Sequence, residues 1–238
     1  MTISVAEPII VAPVMPVSQA MEAAARVGAI LMQSGASTES SVSAVRDMLS
    51  GLDQAGVKVT IGGDAVIVSA SEHGVPVTMM RTIPSLGANL ERASMAQVLA
   101  ERVRRGAIPD EAIALELDAV SATPAPYNRL AVAVALGIAG LAFNQLLGGT
   151  FTSAAVVFAA NVVAHLARTE FVKRGSPAAV TALATAVIAT VIVVVGVRLG
   201  LAPDAASTFI PAITLLIPGV ALINGLLDLS SLRYVMVG

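Results

Sequence analysis

The sequence predicts an α-helical polytopic membrane protein, with four spans present and a fifth cut off, behind an amino-terminal soluble α+β domain. Three observations lead there. Charge is divided unevenly: residues 1–129 hold nine Lys/Arg and thirteen Asp/Glu, whereas residues 130–238 hold five and three. The second half contains several charge-free runs of spanning length. The first half alternates between helical periodicity and short β-branched runs, the pattern of a small mixed domain. The composition agrees: 56% of residues are hydrophobic and only 13% charged, against about a quarter charged in an ordinary globular domain.

The chain divides into a proline-bearing disordered leader (1–16), a cytoplasmic α+β domain (17–125) and a transmembrane domain (126–238). The leader is not a secretory signal, because no Lys or Arg precedes Arg26 and the apolar stretch Ile9–Val17 is broken by Pro13 and Pro16. In the soluble domain, Ala20, Ala24, Val27, Ile30 and Leu31 recur at helical spacing up to Ser34-Gly35, a carboxyl cap. A second helix opens at Ser37-Thr38-Glu39, either hydroxyl serving as its amino cap, and runs to about Leu52. Lys58–Ile61 and Ala65–Ala70 flank Gly62-Gly63-Asp64 as a hairpin, and Val75–Ile83 adds a third strand. Helices at Leu90–Arg105 and Pro109–Ala122 complete the domain, with the helices on one side of an antiparallel sheet.

In the membrane half, the run between Arg129 and Arg168 is too long for one helix, and Gly148-Gly149 offers a turn inside it. The spans are therefore placed at about 130–147, 151–168, 176–197 and 206–227. Each of the first two reaches roughly 27 Å, enough for a slightly thinned bilayer core. One such run alone would equally suit a buried soluble helix; several, separated by short charged loops, do not. Arg102, Arg104, Arg105 and Arg129 precede the first span, and Arg168, Lys173 and Arg174 separate the second from the third. Arg198 alone flanks the third-to-fourth connection, and Arg233 follows the fourth span. The excess of positive charge places the amino-terminal domain, the basic loop and the carboxyl end in the cytoplasm. After Asp228 the chain reads LSSLRYVMVG, whose last residues look like the first turn of a further apolar segment, so a longer native protein is expected.

Several function classes are excluded. There is no cysteine, hence no disulfide, thiolate metal site or Cys nucleophile, and two histidines, His73 and His165, are too few for a histidine metal cluster. No cofactor or metal is expected. A net charge of −2 gives no basis for nucleic-acid binding. Gly62-Gly63-Asp64 lacks the pattern of a phosphate loop, and Ser34 and Ser37 have no nucleophile elbow around them. Arg102, Arg104 and Arg105 read as a solvated or headgroup-facing patch.

Three blocks carry a resemblance to a known family: VGAILMQSGASTESSVSAV (27–45), YNRLAVAVALGIAGLAFNQLLGGTFTSA (127–154) and PAITLLIPGVALINGLLDL (211–229). The chain resembles the threonine/serine exporter family, which includes the larger subunit of two-component succinate (dicarboxylate) exporters, over residues 17–238. The resemblance implies export of a small polar metabolite across the bacterial inner membrane. It also implies a second membrane module, fused behind this one or supplied as a separate subunit, and an oligomeric assembly in membrane lipid. The Ile-Pro-Gly…Ile-Asn-Gly…Asp pattern is nearer to that of the dicarboxylate-exporter subunit than to that of the fused amino-acid exporter. In the family the chain continues after the Asp into a fifth span.

Polar groups inside a bilayer are costly and default to functional candidates. Pro218 and Gly219 interrupt the fourth span and free backbone groups there, the device from which transporters build substrate sites. Pro211, one turn into the span, reads as a helix-start proline. Asn224 and Asp228 share a face beyond the break, and Asp228 is either a site for a proton, cation or substrate ammonium or an interfacial residue at a helix end. Asn161 and His165 share a face of the second span, and His165 is either titratable in the pathway or interfacial beside Arg168. Asn144 and Gln145 close the first span, lining a vestibule or bonding between helices. The competing function is a membrane scaffold or sensor subunit with a cytoplasmic regulatory domain, and an intramembrane enzyme ranks last.

Overall fold

The computed structural model of the protein describes residues 15–54, 56–62, 64–72, 75–83, 89–216 and 219–230. Residues 1–14 of the leader expected over 1–16, Gly63 of the hairpin turn, His73, Pro218 and the tail 231–238 with Arg233 lie outside these residues. The chain forms two compact units, one of Met1–Ala125 with Val220–Gly238 and the other of Pro126–Gly219.

The first unit begins with α1 (Val17–Gln33) and α2 (Thr38–Gly51). Helix α1 buries Ala20, Met21, Ala24, Val27 and Leu31, its periodic apolar face. It ends where Gly35, at φ 87°, turns the chain left-handed and lets the N–H groups of Gly35 and Ala36 bond to the carbonyls of Met32 and Leu31. Of the two hydroxyls offered as amino cap for α2, Ser37 is the one used; its side chain accepts the Ser40 N–H at 3.2 Å.

Strands β1 (Lys58–Ile61), β2 (Ala65–Glu72) and β3 (Val75–Thr82) form an antiparallel sheet in the order β1-β2-β3. Its register pairs Val68 with Met79 and Ala70 with Val77 on one face, and Ile67 with Met80 on the other. The first face is covered: Val66 and Val68 are fully buried, and Val77 and Met79 pack against the core. The second face is open, so Met80 is exposed and Ser69 and Thr78 pair their hydroxyls at 3.1 Å. Glycine sets how closely helix meets sheet. A Cβ on Gly28 of α1 would come within 2.8 Å of Val45 on α2 and 3.1 Å of Val66 on β2.

Helices α3 (Leu90–Arg104) and α4 (Asp110–Ala122) close the core with Ala96, Leu99, Val103, Ile113 and Leu117. The Arg102–Arg105 cluster is not an unpaired basic patch. Arg104 and Arg105 bond to Glu101 at 2.5 and 2.6 Å, and Arg102 reaches Glu116 at 3.3 Å. Hydrogen bonds from Arg104 and then Arg105 push the Glu101 carboxyl down to about 2. The last element, α9 (Gly219–Ser230), places its residues from Val220 onward in this unit.

The second unit holds α5 (Arg129–Leu146), α6 (Phe151–Lys173), α7 (Ala178–Arg198) and α8 (Ala205–Thr214). Helix α6 is central, packing against α5, α7 and α8. Small residues permit that closeness: a Cβ on Gly137 would stand 2.7 Å from Phe158, and one on Gly196 would stand 2.6 Å from Val156. On α7 the outer stripe Val180, Leu183, Val187, Val191 and Val194 is exposed, while Thr181, Thr185, Ala189 and Val193 are buried. Large apolar groups outside and small ones inside is the arrangement of a helix facing lipid. Helices α5, α6 and α7 are long and apolar enough to cross a membrane, with mean hydropathies of 1.5, 1.4 and 2.6. The segment read as a fourth span is not one helix. Its apolar run is divided between α8, of ten residues, and α9, of twelve.

The closest approach in the first unit yields a test. A Cβ on Gly51 would lie 2.3 Å from the Val103 carbonyl oxygen and 2.6 Å from the Arg104 Cα, both backbone atoms. Gly51→Ala is expected to force α2 and α3 apart and to destabilise the protein by about 1–3 kcal/mol. A lowered thermal unfolding midpoint would show this, and an unchanged midpoint would contradict it.

Candidate transport site

The interrupted segment begins at Asp204, whose carboxylate caps α8 by accepting the N–H groups of Ala206 (3.2 Å) and Ser207 (3.0 Å). Hydrogen bonds from Ser207, and then from the Ala206 N–H, hold that carboxyl below its usual range. With the helix starting there, Pro211 lies in its interior rather than at its start. This corrects the expectation of a helix-start proline. The physical consequence falls on Ser207. In an α-helix its carbonyl would accept the N–H four residues on, and that residue is Pro211, which has none.

Asn144 supplies the missing donor. Its side-chain amide donates to the Ser207 carbonyl at 2.8 Å, and its residue is wholly buried. The amide oxygen in turn accepts the Ser153 hydroxyl at 3.2 Å and the Gln145 side-chain amide at 3.4 Å. Local sequence puts Asn144 in place. Gly148, at φ 79°, ends α5, and the Gly149 N–H bonds to the Asn144 backbone carbonyl at 2.9 Å. Any Cβ at Gly149 would lie 2.3 Å from the Asn144 side-chain oxygen. Gln145 also reaches the Thr150 carbonyl at 3.2 Å, tying the turn together.

Asn161 sits deeper in α6 and is 2% exposed. Its amide donates to the Val157 carbonyl of its own helix at 3.0 Å and approaches the Pro211 carbonyl at 3.5 Å. Glycine again makes room, since a Cβ on Gly140 would stand 2.3 Å from the Asn161 amide nitrogen. Two asparagines thus reach α8, one to the carbonyl its proline leaves unserved and one to the proline's own carbonyl. His165 is half-buried one turn beyond Asn161 on α6. At that end of the unit, Glu170 bonds to Arg174 at 3.2 Å and stands 4.0 Å from Arg129.

Helix α8 stops at Thr214, and the Leu216 N–H closes a turn on Ile213. Helix α9 resumes at Gly219; Pro218 lies outside the described residues. Asn224 and Asp228 are half-buried, whereas Leu222, Ile223, Leu226 and Leu229 are exposed. Within the first unit, the Asn224 amide donates to the Gly35 carbonyl at 3.3 Å, and the Thr38 hydroxyl donates to an Asp228 carboxylate oxygen at 2.7 Å. The structure therefore brings Asn144 and Asn161 to α8, holds Gln145 in the turn against Asn144 and Thr150, and brings Asn224 and Asp228 to the turn between α1 and α2. Sequence reasoning missed three participants: the Ser207 carbonyl, Gly35 and Thr38. The first was findable, because a proline inside a helix orphans the carbonyl four residues earlier; the other two follow only from tertiary packing.

Three apolar helices of spanning length, in a chain that also carries a small α+β unit, define a membrane protein. The family model described as "Putative threonine/serine exporter" matches residues 22–237, and the chain belongs to the threonine/serine exporter family. A threonine/serine exporter of Corynebacterium glutamicum is 28% identical over 165 residues, covering 68% of this chain and 34% of that protein. A protein of Mycobacterium tuberculosis, described as a probable threonine/serine exporter, is 27% identical over 207 residues, covering 85% of this chain and 39% of its own length. The chain thus spans well under half the length of these relatives. No solved structure matches it significantly.

The proline-compensating bond can be isolated by a double-mutant cycle. Asn144→Leu is expected to cost about 1–2 kcal/mol, because it leaves a buried carbonyl unserved. In a Pro211→Ala background the backbone N–H returns to serve Ser207, so the same substitution should cost about 1 kcal/mol less. Unfolding midpoints of the four purified proteins give the coupling, and strictly additive values would contradict the assignment.

Proposed function

We propose that this chain is the amino-terminal module of a bacterial inner-membrane exporter of a small polar metabolite, threonine or serine, acting with a second membrane module. Membership of the exporter family is the observation that carries this reading. The reading comprises a cytoplasmic domain over 17–125 and a transmembrane domain from 126 onward. Its amino terminus lies inside the cell, and α8 and α9 together form the fourth, interrupted span. The excess of Arg and Lys before the first span and in the 168–174 loop supports that orientation.

In this account the pathway runs through the interrupted segment, with Asn161, His165, Pro218, Gly219, Asn224 and Asp228 as its residues and Asn144 and Gln145 at a vestibule. Two features support it. An apolar run divided into two short helices leaves backbone groups at its break free for a substrate, the general logic of broken-helix transporters. Asn224 and Asp228, one turn apart, offer a donor beside an anionic acceptor, which complements the carboxylate and ammonium of an α-amino acid. A succinate-type dicarboxylate would meet repulsion at Asp228, so the amino-acid substrate is favoured.

The test is efflux from cells carrying the complete transporter, loaded in parallel with threonine, serine and succinate. Threonine and serine are expected to leave faster than from cells lacking the transporter. Asp228→Asn and His165→Ala should each slow export by roughly tenfold or more at unchanged membrane abundance, the size of effect expected when a charge-assisted contact is lost. Unchanged efflux in both variants would remove these residues from the pathway. If none of the three compounds moves while the protein remains folded in the membrane, the scaffold reading replaces the exporter.

A further inference from the structure

The Thr38–Asp228 and Gly35–Asn224 bonds join segments about 190 residues apart in the chain. They are made by a turn that the sequence reads only as a helix connection. Asp228, half-buried, stands on a helix whose exposed large apolar residues are Leu222, Ile223, Leu226, Leu227 and Leu229. The side-chain hydroxyl of Thr38 donates to its carboxylate at 2.7 Å. One turn earlier, the Asn224 amide donates to a carbonyl oxygen.

We infer that the turn between α1 and α2 is a built-in plug. On α9 the Thr38 hydroxyl and the Gly35 carbonyl occupy the groups that would otherwise receive the ammonium or hydroxyl and the carboxylate of an amino-acid substrate. Asp228 accepts and Asn224 donates, whichever partner is present. The turn satisfies both at once, with a donor at position 38 and an acceptor at position 35. A hydroxy amino acid offers the same pair of functions, with a formal charge on each. The substrate therefore displaces the turn to bind, and the cytoplasmic domain sets how easily α9 is engaged. The Gly35 end is held firmly, because Gly35 closes the cap of α1 and the neighbouring Ser34 carbonyl accepts the Asn89 N–H at 3.2 Å. The Thr38 end is the side that can let go, since its bond to Asp228 is made by a hydroxyl that rotates freely about its own side chain.

This inference rests on the exporter reading, and two measurements on the complete transporter test it. The first is the concentration dependence of threonine export. Thr38→Val removes the hydroxyl at nearly constant volume, so the competing donor disappears and the half-saturation concentration should fall by roughly threefold to tenfold. Thr38→Ser retains the hydroxyl and should restore the higher half-saturation concentration. A half-saturation concentration that stays the same or rises in Thr38→Val overturns the plug; a rise would make Thr38 a supporting contact instead. So does an equal change in Thr38→Val and Thr38→Ser.

The second measurement does not depend on turnover. The 238 residues contain no cysteine, so Thr38→Cys introduces one thiol whose labelling can be followed on its own peptide by mass spectrometry. Its alkylation by a maleimide should speed up several-fold when threonine is added, and should not respond to succinate. An unchanged rate with threonine, or an equal response to succinate, overturns the proposal. Absence of threonine export from the wild-type transporter would bring down the exporter reading itself, and the plug with it. Export by the wild type with an unresponsive thiol would remove the plug alone.

Discussion

The arrangement of the membrane unit depends on a backbone carbonyl that its own helix cannot satisfy. Pro211 removes the N–H that would serve Ser207, and a bare carbonyl in an apolar bundle costs far more than one in water. The Asn144 amide meets it at 2.8 Å. That one bond constrains three elements together, because Asn144 ends α5, accepts the Ser153 hydroxyl of α6 and donates to α8. It also explains why the connection between α5 and α6 carries two consecutive glycines. Gly148 turns left-handed to end the helix, and Gly149 must lack a side chain where the asparagine lies. Asn161 and Gly140 repeat the logic one level deeper, with a longer bond to the Pro211 carbonyl.

A proline-bearing half-helix held from outside differs mechanically from a continuous span. Helix α8 has ten residues, about 15 Å at the usual rise, and draws stability from side chains of α5 and α6 rather than from further turns of its own. It can end at Thr214 without unravelling, and α9 begins afresh at Gly219. The asparagines thus permit the interruption, by serving from other helices the backbone groups of the short helix that ends there. On α9 the same economy of polar groups holds: Asn224 and Asp228 meet a carbonyl and a hydroxyl, while the leucines around them stay exposed.

Much of this was legible in the chain. The helices and strands of the soluble domain follow from apolar spacing, from Ser34-Gly35 and Ser37, and from the β-branched runs around Gly62-Gly63-Asp64. The apolar helices follow from the charge-free runs; a break in the last one was expected from Pro218-Gly219, and α8 already ends at Thr214. The span expected from 206 begins within one residue of α8, so Pro211 already lay past its first turn; reading it as a helix-start proline overlooked that a proline there leaves the Ser207 carbonyl without its helical donor. The residue types of the candidate site were visible as polar groups in apolar stretches. Their partners were not, because a side-chain amide carries no sequence mark of the carbonyl it will meet. Only the orphaning of Ser207 was computable, from the fixed four-residue spacing of helical hydrogen bonds. The partnership of Thr38 with Asp228 had no local signal at all.

The central claim is that the segment from Ala205 to Ser230 is two half-helices, the first held in the bundle by Asn144. Amide hydrogen exchange of the lipid-embedded transporter, resolved along this segment, tests it most directly. The account predicts slow exchange through the carboxyl half of α8 and rapid exchange at Leu215 and Leu216, with α8 losing protection when Asn144 is replaced by leucine. Uniform slow exchange from Ala205 to Ser230, unaltered by that replacement, would mean one continuous span and would contradict the account.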